Sequence, residues 1–266
     1  MPRSTINGTA IDLDGKEMIL DADQDTTLTV DTDDQIDIKV AGSDKVHITS
    51  TGLGVGITSP TQAIEAAGNI FINSSANPFL EVKTSGAGNN PFVRIKADTN
   101  YWDLQTLFSN TNDELYFRYN GTSTMMIDKN GAVTKPLQPS FHAYPSSSTN
   151  YTSADDVIIF GSTYHNIGSD YNTSTGKFTA PIAGNYLFAW AVYRGDGDDS
   201  ASIHLLHNTT KKYEGRIDSS GAGGYATIAG SLVIALSASD TVHLQVRYPN
   251  IHVNSPWCYF SGTLLS

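Results

Sequence analysis

The chain has 266 residues, room for one large domain or two small ones, and only 16% of them are charged. Its net charge of −11 excludes binding to nucleic acid through phosphate neutralisation, and its one cysteine, Cys258, excludes an internal disulfide. No apolar run approaches the roughly 18 to 20 residues of a membrane span, so we expect a soluble chain without a conventional export signal.

Residues 1–56 combine ten Asp, between Asp12 and Asp44, with very few large apolar side chains. The apolar residues that are present alternate with polar ones, as in Ile36, Ile38 and Val40, which predicts short strands. One thin apolar face cannot offset the entropy of ordering this segment. We therefore expect a trimeric β-stem or particle-attachment arm that is ordered by association, with an acidic disordered arm as the alternative.

Residues 57–136 are predicted to be a second, small β unit. Its strongest hairpin signals are Asn120-Gly121 and Asn130-Gly131. Pro136 and Pro139 disfavour both helix and ladder, so we place the start of the next domain at residue 137. The predicted strands of the small unit are Asn69–Asn73, Phe79–Lys83, Phe92–Lys96, Glu114–Tyr119 and Thr124–Asp128.

The segment Gly54–Ile70 resembles a phrase of phage tail-fibre proteins, in which a Gly-Ile-Gly-Thr-like turn precedes Ser/Thr-Pro and a Gly-Asn-Ile ending. The acidic stretches Asp21–Asp25 and Thr32–Lys39 are similar to those of phage structural proteins. This resemblance implies a virion protein that contacts other virion proteins through its N-terminal region and is assembled in the host cytoplasm.

Residues 137–266 are predicted to form nine or ten short strands without a helix, as in a β-sandwich. One of these strands, Asn185–Val192, is apolar on both faces: Tyr186, Phe188 and Trp190 alternate with a smoother row. The second face of a two-layer sandwich should contact water unless another subunit covers it. The smoother row is therefore predicted to be a subunit interface, made of Leu187, Ala189 and Ala191.

Three ordered segments, Asn166–Tyr171, Thr175–Pro181 and Gly184–Phe188, resemble the signature of the C1q-like domain of the C1q and tumour-necrosis-factor superfamily. The resemblance implies a jelly roll that forms tight homotrimers, binds ligands through its loops and has no catalytic activity. It continues in register through Phe141–Ala143, Leu205–Asn208, Gly230–Leu236, Ser239–Val246 and Phe260–Leu265.

Catalytic and metal motifs are scarce. His204 and His207 lie three apart on a predicted strand and point to opposite faces, so they cannot share a metal ion. Asp21, Asp23 and Asp25 imitate the start of a calcium loop, but Thr stands at positions 26 and 32, where an EF-hand needs Gly and Glu. We therefore expect no enzyme, and no cofactor apart from calcium in one loop. The candidate ligands there are Asp196, Asp198 and Asp199, with a plain solvated hairpin as the alternative.

Together these features predict an all-β protein: an N-terminal trimeric β-stem, a small β unit and a C1q-like jelly-roll head. The leading interpretation is a homotrimeric phage tail fibre or spike whose head binds a host cell-surface glycan or protein. The alternative is a capsid decoration or head-fibre protein with the same knob. Side chains predicted in head loops and strand ends are the receptor-binding candidates, because rings with polar tips suit such surfaces: Tyr193, Arg194, Asp196, Tyr213, Tyr248 and Trp257.

Overall fold

The computed structural model describes residues 17–30, 34–72, 80–84, 89–108, 113–195, 200–218, 224 and 226–266. These residues form strands and connecting loops only, so the predicted all-β class is confirmed. No helix in these ranges is long and apolar enough to span a membrane. The chain divides into two compact units, Met1–Glu81 and Val82–Ser266. The predicted boundaries after residues 56 and 136 stay predictions.

The first unit contains a six-stranded sheet in which sequential strands are neighbours. All pairs are antiparallel except the last, which is parallel. Asn69–Asn73 and Phe79–Lys83 were predicted as strands, but their described residues are irregular. The strands are β1 Met18–Ile19, β2 Thr27–Thr29, β3 Ile36–Val40, β4 Ser43–Ile48, β5 Leu53–Val55 and β6 Ile64–Ala66.

The second unit begins with a five-stranded antiparallel meander. Its β9–β10 hairpin turns at Asn120-Gly121, as predicted, and both residues have positive φ, 46° and 82°. That left-handed backbone is the reason this residue pair favours tight hairpins. The strands are β7 Phe92–Ala97, β8 Asn100–Phe108, β9 Asp113–Tyr119, β10 Thr122–Ile127 and β11 Val133–Thr134.

The rest of the second unit is a sandwich of a seven-stranded and a five-stranded sheet. Their facing sides enclose one core that includes Phe141, Phe188, Trp190, Leu205 and Phe260. The larger sheet contains β12 Ser140–Tyr144, β13 Thr149–Tyr151, β14 Ser162–Ile167, β17 Gly184–Arg194, β20 Ala226–Leu236, β22 Ile251–Val253 and β23 Tyr259–Leu264. The smaller sheet contains β15 Tyr171–Asn172, β16 Lys177–Thr179, β18 Ala201–His207, β19 Thr210–Ile217 and β21 Thr241–Tyr248.

Strand β17 is the centre of the larger sheet. It pairs with β20 along its whole length on one side, and with β23 and then β22 on the other. At its start the chain enters the sandwich: the Leu264 amide donates to the Pro139 carbonyl, and the Asn185 amide donates to the Ser266 carbonyl. Since a strand advances about 3.3 Å per residue, the far end of this eleven-residue strand lies roughly 33 Å away.

Candidate functional site

The outer face of the larger sheet is the first candidate site. Tyr186, Phe188 and Trp190 of β17 point into the core and are completely buried. The alternating residues Leu187 and Ala189 therefore lie on the opposite side of the sheet, as predicted. Both are half-buried, which leaves them accessible on a surface that no other layer of the sandwich covers.

Strand register places small and polar residues beside this row. Thr263 is the partner of Leu187, Ser261 is the partner of Ala189, and His142 of β12 is opposite Ser261. Together with His165 these side chains line a groove of about 340 Å³. We call it the outer-face groove. Ala191, the third predicted interface residue, is only 7% exposed even within one subunit.

Aromatic side chains form the rim of the outer-face groove. Tyr164 is 69% exposed and stacks on Tyr144 with 4.4 Å between ring centroids. The His142 ring lies 5.3 Å from that of Tyr164 and 5.4 Å from that of Tyr259. Partial burial, and then repulsion from His165, lower the pKa of His142. Exposed aromatic side chains beside a described lining without Lys, Arg, Asp or Glu are typical of a surface that packs against another protein.

A second candidate site lies at the far end of β17, beyond the outer-face groove. Tyr193, His252, Asn254 and Trp257 line an open depression of about 540 Å³, which we call the distal depression. The rings of Tyr193 and Trp257 are 6.5 Å apart and tilted by 45°. Two of the predicted receptor-binding residues are thus brought together here, with two polar neighbours that the sequence did not single out.

The other receptor-binding candidates lie elsewhere. Tyr213 is in the smaller sheet and packs on the Trp190 ring at 5.0 Å, against the core. Tyr248 is at the end of β21 in the same sheet, with the guanidinium of Arg216 4.9 Å from its ring. Arg194 was predicted at the surface but is 3% exposed, and its Nη2 donates to the Gly224 carbonyl at 2.9 Å. Its guanidinium therefore holds the backbone at Gly224 and is not accessible to a ligand.

The predicted calcium loop lies outside the described residues, because Asp196, Asp198 and Asp199 fall in the range 196–199. The structure does bring together the acidic residues Asp21, Asp23 and Asp25, each of which has a carboxylate oxygen within 4.8 Å of the others. Asp21 also accepts a hydrogen bond from the Thr26 amide at 3.2 Å. The pKa of Asp21 is lowered, first by the Thr26 side chain and then by this amide. Exposed acidic groups of this kind occur without an ion, so we assign no metal to them.

Both N-terminal sheets also expose an apolar face. In the first sheet, register aligns Ile36 with Ile48, Ile48 with Leu53, and Leu53 with Ile64. The opposite face is polar but buried, and the Nδ1 of His47 lies 2.5 Å from Asp37 there. Among the described residues, no second layer covers the apolar row: Ile36, Ile48 and Ile64 are 38%, 42% and 67% exposed.

The meander of β7 to β11 repeats this arrangement. One face carries an ion pair between Arg94 and Asp103, with bonds of 2.8 and 2.9 Å, next to Arg118. The other face carries Ile95, Trp102 and Leu104, which are 73%, 47% and 42% exposed. Exposed apolar rows of this length indicate a surface that packs against another protein.

The sandwich with these two sheets and this topology has the architecture of a jelly roll of the C1q/TNF superfamily. Residues 140–265 match the family model described as the C1q domain. This part of the chain is therefore a C1q domain, as the sequence resemblance implied. Domains of this family typically form trimers and are typically not enzymes.

Curated relatives match about half of the chain or less. The chain is 28% identical over 139 residues to Complement C1q tumor necrosis factor-related protein 3 of Mus musculus, an alignment that covers 50% of this chain and 53% of the relative. It is 32% identical over 91 residues to Complement C1q tumor necrosis factor-related protein 2 of the same organism, 34% of this chain and 30% of the relative. The chain thus spans about half the length, or less, of these relatives.

Solved structures of the superfamily align with a similar share of the chain. The globular domain of zebrafish complement 1qA has a TM-score of 0.41 and 16% identity, over 48% of this chain and 98% of that chain. The Eiger TNF structure from S. frugiperda has a TM-score of 0.42 and 15% identity, over 49% and 94%.

Proposed function

We propose that this protein is a homotrimeric virion fibre or spike, assembled in the host cytoplasm, whose N-terminal region attaches it to the particle and whose C1q domain binds the host cell surface. The observation that carries the proposal is that three sheets of one chain each have an apolar or small-residue face that no other described residues cover. Two further copies of the same chain can cover all three faces at once, so one kind of partner is enough.

The outer-face groove supports trimer formation through the head. Leu187, Ala189, Ser261 and Thr263 are small or apolar and carry no charge, so a neighbouring subunit can approach the backbone closely at little desolvation cost. The half-exposed aromatic rim adds contact area at a low cost in side-chain entropy. Closed trimers also remove the exposed apolar surface that an isolated subunit would present to water.

The N-terminal sheets support a stem of self-associated strands. Each is a single layer whose apolar row, represented by Ile48 in the first sheet and Ile95 in the second, meets no second layer among the described residues. Three such sheets with their apolar rows turned inwards form a core that one copy cannot form. A self-associated stem of this kind is what the proposed fibre requires.

The virion attribution is supported by the resemblance of Gly54–Ile70 to phage tail-fibre sequences. The match to the C1q family model begins at residue 140, so that model does not cover the preceding 139 residues. Immunogold labelling of particles with an antibody against the chain should decorate the tail. Gold on the shell would support the decoration protein instead, and particles without label would refute a virion role.

Binding by the trimer can be tested with the full chain. We expect fluorescently labelled protein to bind host cells, and Ala189→Lys to reduce binding at least about tenfold, because a lysine in the outer-face groove separates the subunits and removes avidity. The matched control is Ala238→Lys, in an exposed turn of the same domain, which should bind as the unmodified chain does. Equal binding by both variants would contradict a trimeric receptor-binding head.

A further inference from the structure

We infer that the distal depression binds an uncharged pyranose ring of a cell-surface polysaccharide, stacked on Trp257. This inference rests on the proposed function and adds to it the binding site and the chemical class of the ligand. It is drawn from the four side chains that line the depression, from their surroundings and from their place in the domain.

Trp257 provides an exposed and well-held aromatic platform. The ring is 59% exposed, although the turn that carries it is closed by a hydrogen bond from the Cys258 amide to the Asn254 carbonyl at 3.0 Å. The ring of Tyr193 lies beside that of Trp257 and is tilted by 45° relative to it, so the two rings are not coplanar and together form a concave surface. A sugar ring presents an apolar face of C–H groups, which suits a large aromatic surface that costs little entropy to immobilise.

Two polar side chains flank the platform: His252 is fixed in place by its neighbours, and Asn254 can bind the sugar hydroxyls. The His252 ring is held by Asn150 at Nδ1 and by the Ser148 hydroxyl, 3.4 Å from Nε2. Asn254 has a side-chain amide that forms no hydrogen bond within the part of the chain that the structure describes. An amide offers donors and an acceptor together, which matches the mixed donor and acceptor character of vicinal hydroxyls.

The lining favours an uncharged sugar over an acidic one. None of the described lining residues, Tyr193, His252, Asn254 and Trp257, is Lys, Arg, Asp or Glu, and the nearby Arg194 is buried and bonded to the Gly224 carbonyl. Among these described residues, the carboxylate of a sialic or uronic acid would find no cationic partner. An uncharged hexose or N-acetylhexosamine has no such cost.

The position of the depression suits surface recognition. It lies at the end of β17 opposite the point where the chain enters the domain, so three copies would present it on the distal end of the head. Aromatic platforms of this size give weak single-site binding, with a dissociation constant on the order of 1 mM. Three sites around one axis convert this into useful avidity for a polysaccharide that repeats the same sugar.

The test is a titration of the full chain with free glucose, galactose, N-acetylglucosamine and N-acetylneuraminic acid, followed through the tryptophan indole NMR signals. We expect at least one neutral sugar to shift the Trp257 indole, assigned by its loss in Trp257→Phe, and N-acetylneuraminic acid to leave it unchanged. Trp257→Ala should weaken binding of the trimer to host cells at least about tenfold. Ile182→Ala, which truncates a similarly exposed apolar side chain at the other end of β17, should leave it unchanged.

The outcomes separate the two claims. If the full chain binds cells and Trp257→Ala binds equally well, the depression is not the site, although the head still recognises cells. If the full chain does not bind cells at all, the proposed function fails. If the trimer shields Trp257 from acrylamide quenching, or only the acidic sugar shifts its signal, the inference is overturned.

Discussion

Acid should destabilise the head through one buried histidine. His243 of β21 is 4% exposed, and its Nδ1 has no hydrogen-bond partner among the described residues. Burial, and then the charge of Lys177, which is its register partner on β16, lower its pKa from 6.5 to about 4. The folded head therefore holds this ring neutral, whereas the unfolded chain protonates it near pH 6.5.

The sign and size of the effect follow from this difference. Because the folded pKa lies below the unfolded value, the unfolded state binds more protons between pH 6.5 and 4, and stability falls as the pH is lowered through that window. The contribution of the neutral His243 ring to the free energy of unfolding is fully present above pH 6.5 and fully lost below about pH 4. At about 1.4 kcal/mol per pH unit, the loss across the window is about 3 kcal/mol.

The measurement is hydrogen exchange of the β18 and β21 amides in the full chain at several pH values, corrected for intrinsic exchange. The matched control is His243→Gln, which cannot be protonated at this position and should show a smaller dependence between pH 6.5 and 4, whatever its stability at neutral pH. If the two proteins show the same slope, His243 does not remain neutral in the folded head and the reasoning from burial is refuted.

Two further changes test the packing, and a third tests the groove. Ile95→Asp should leave the isolated subunit folded, because Ile95 is 73% exposed. The same change should weaken self-association of the full chain in sedimentation, whereas Lys96→Asp on the other face of the sheet should not. Gly262→Ala should lower the free energy of unfolding in urea by about 1–3 kcal/mol, because its Cβ would lie 2.6 Å from Phe141 and 2.8 Å from Phe188; an unchanged midpoint would contradict that contact. Ala189→Lys should shift the full chain towards monomer in size-exclusion chromatography, since burying an unpaired ammonium costs several kcal/mol, and Ala238→Lys should not.

Regular alternation is what made the head predictable from its sequence. The two apolar rows of β17 were separated correctly, because successive side chains of a strand must face opposite sides. Strand β14, Ser162–Ile167, was missed, since it lies at the edge of the sheet and has no apolar row. Ile158 and Phe160 fill the core although their segment lies outside the named strands, with an isolated bridge at Val157.

The candidate sites could be predicted only in part. Tyr193 and Trp257 were named from their residue types, but their meeting with Asn254 and His252 depends on how β17 and β22 pair, which no local pattern reveals. The burial of Arg194 was equally hidden, because the carbonyl that accepts its hydrogen bond belongs to Gly224, thirty residues further along. Contacts between distant segments therefore account for what the sequence did not predict.

The central claim is that this chain works as a trimer, and the mass of the full-length protein in solution tests it most directly. One chain has a mass of 28.6 kDa, so light scattering should return about 86 kDa, three times that value, at micromolar concentration. A mass near 28.6 kDa would mean that all three exposed faces remain uncovered in solution, and would contradict the proposed fibre and its receptor-binding head together.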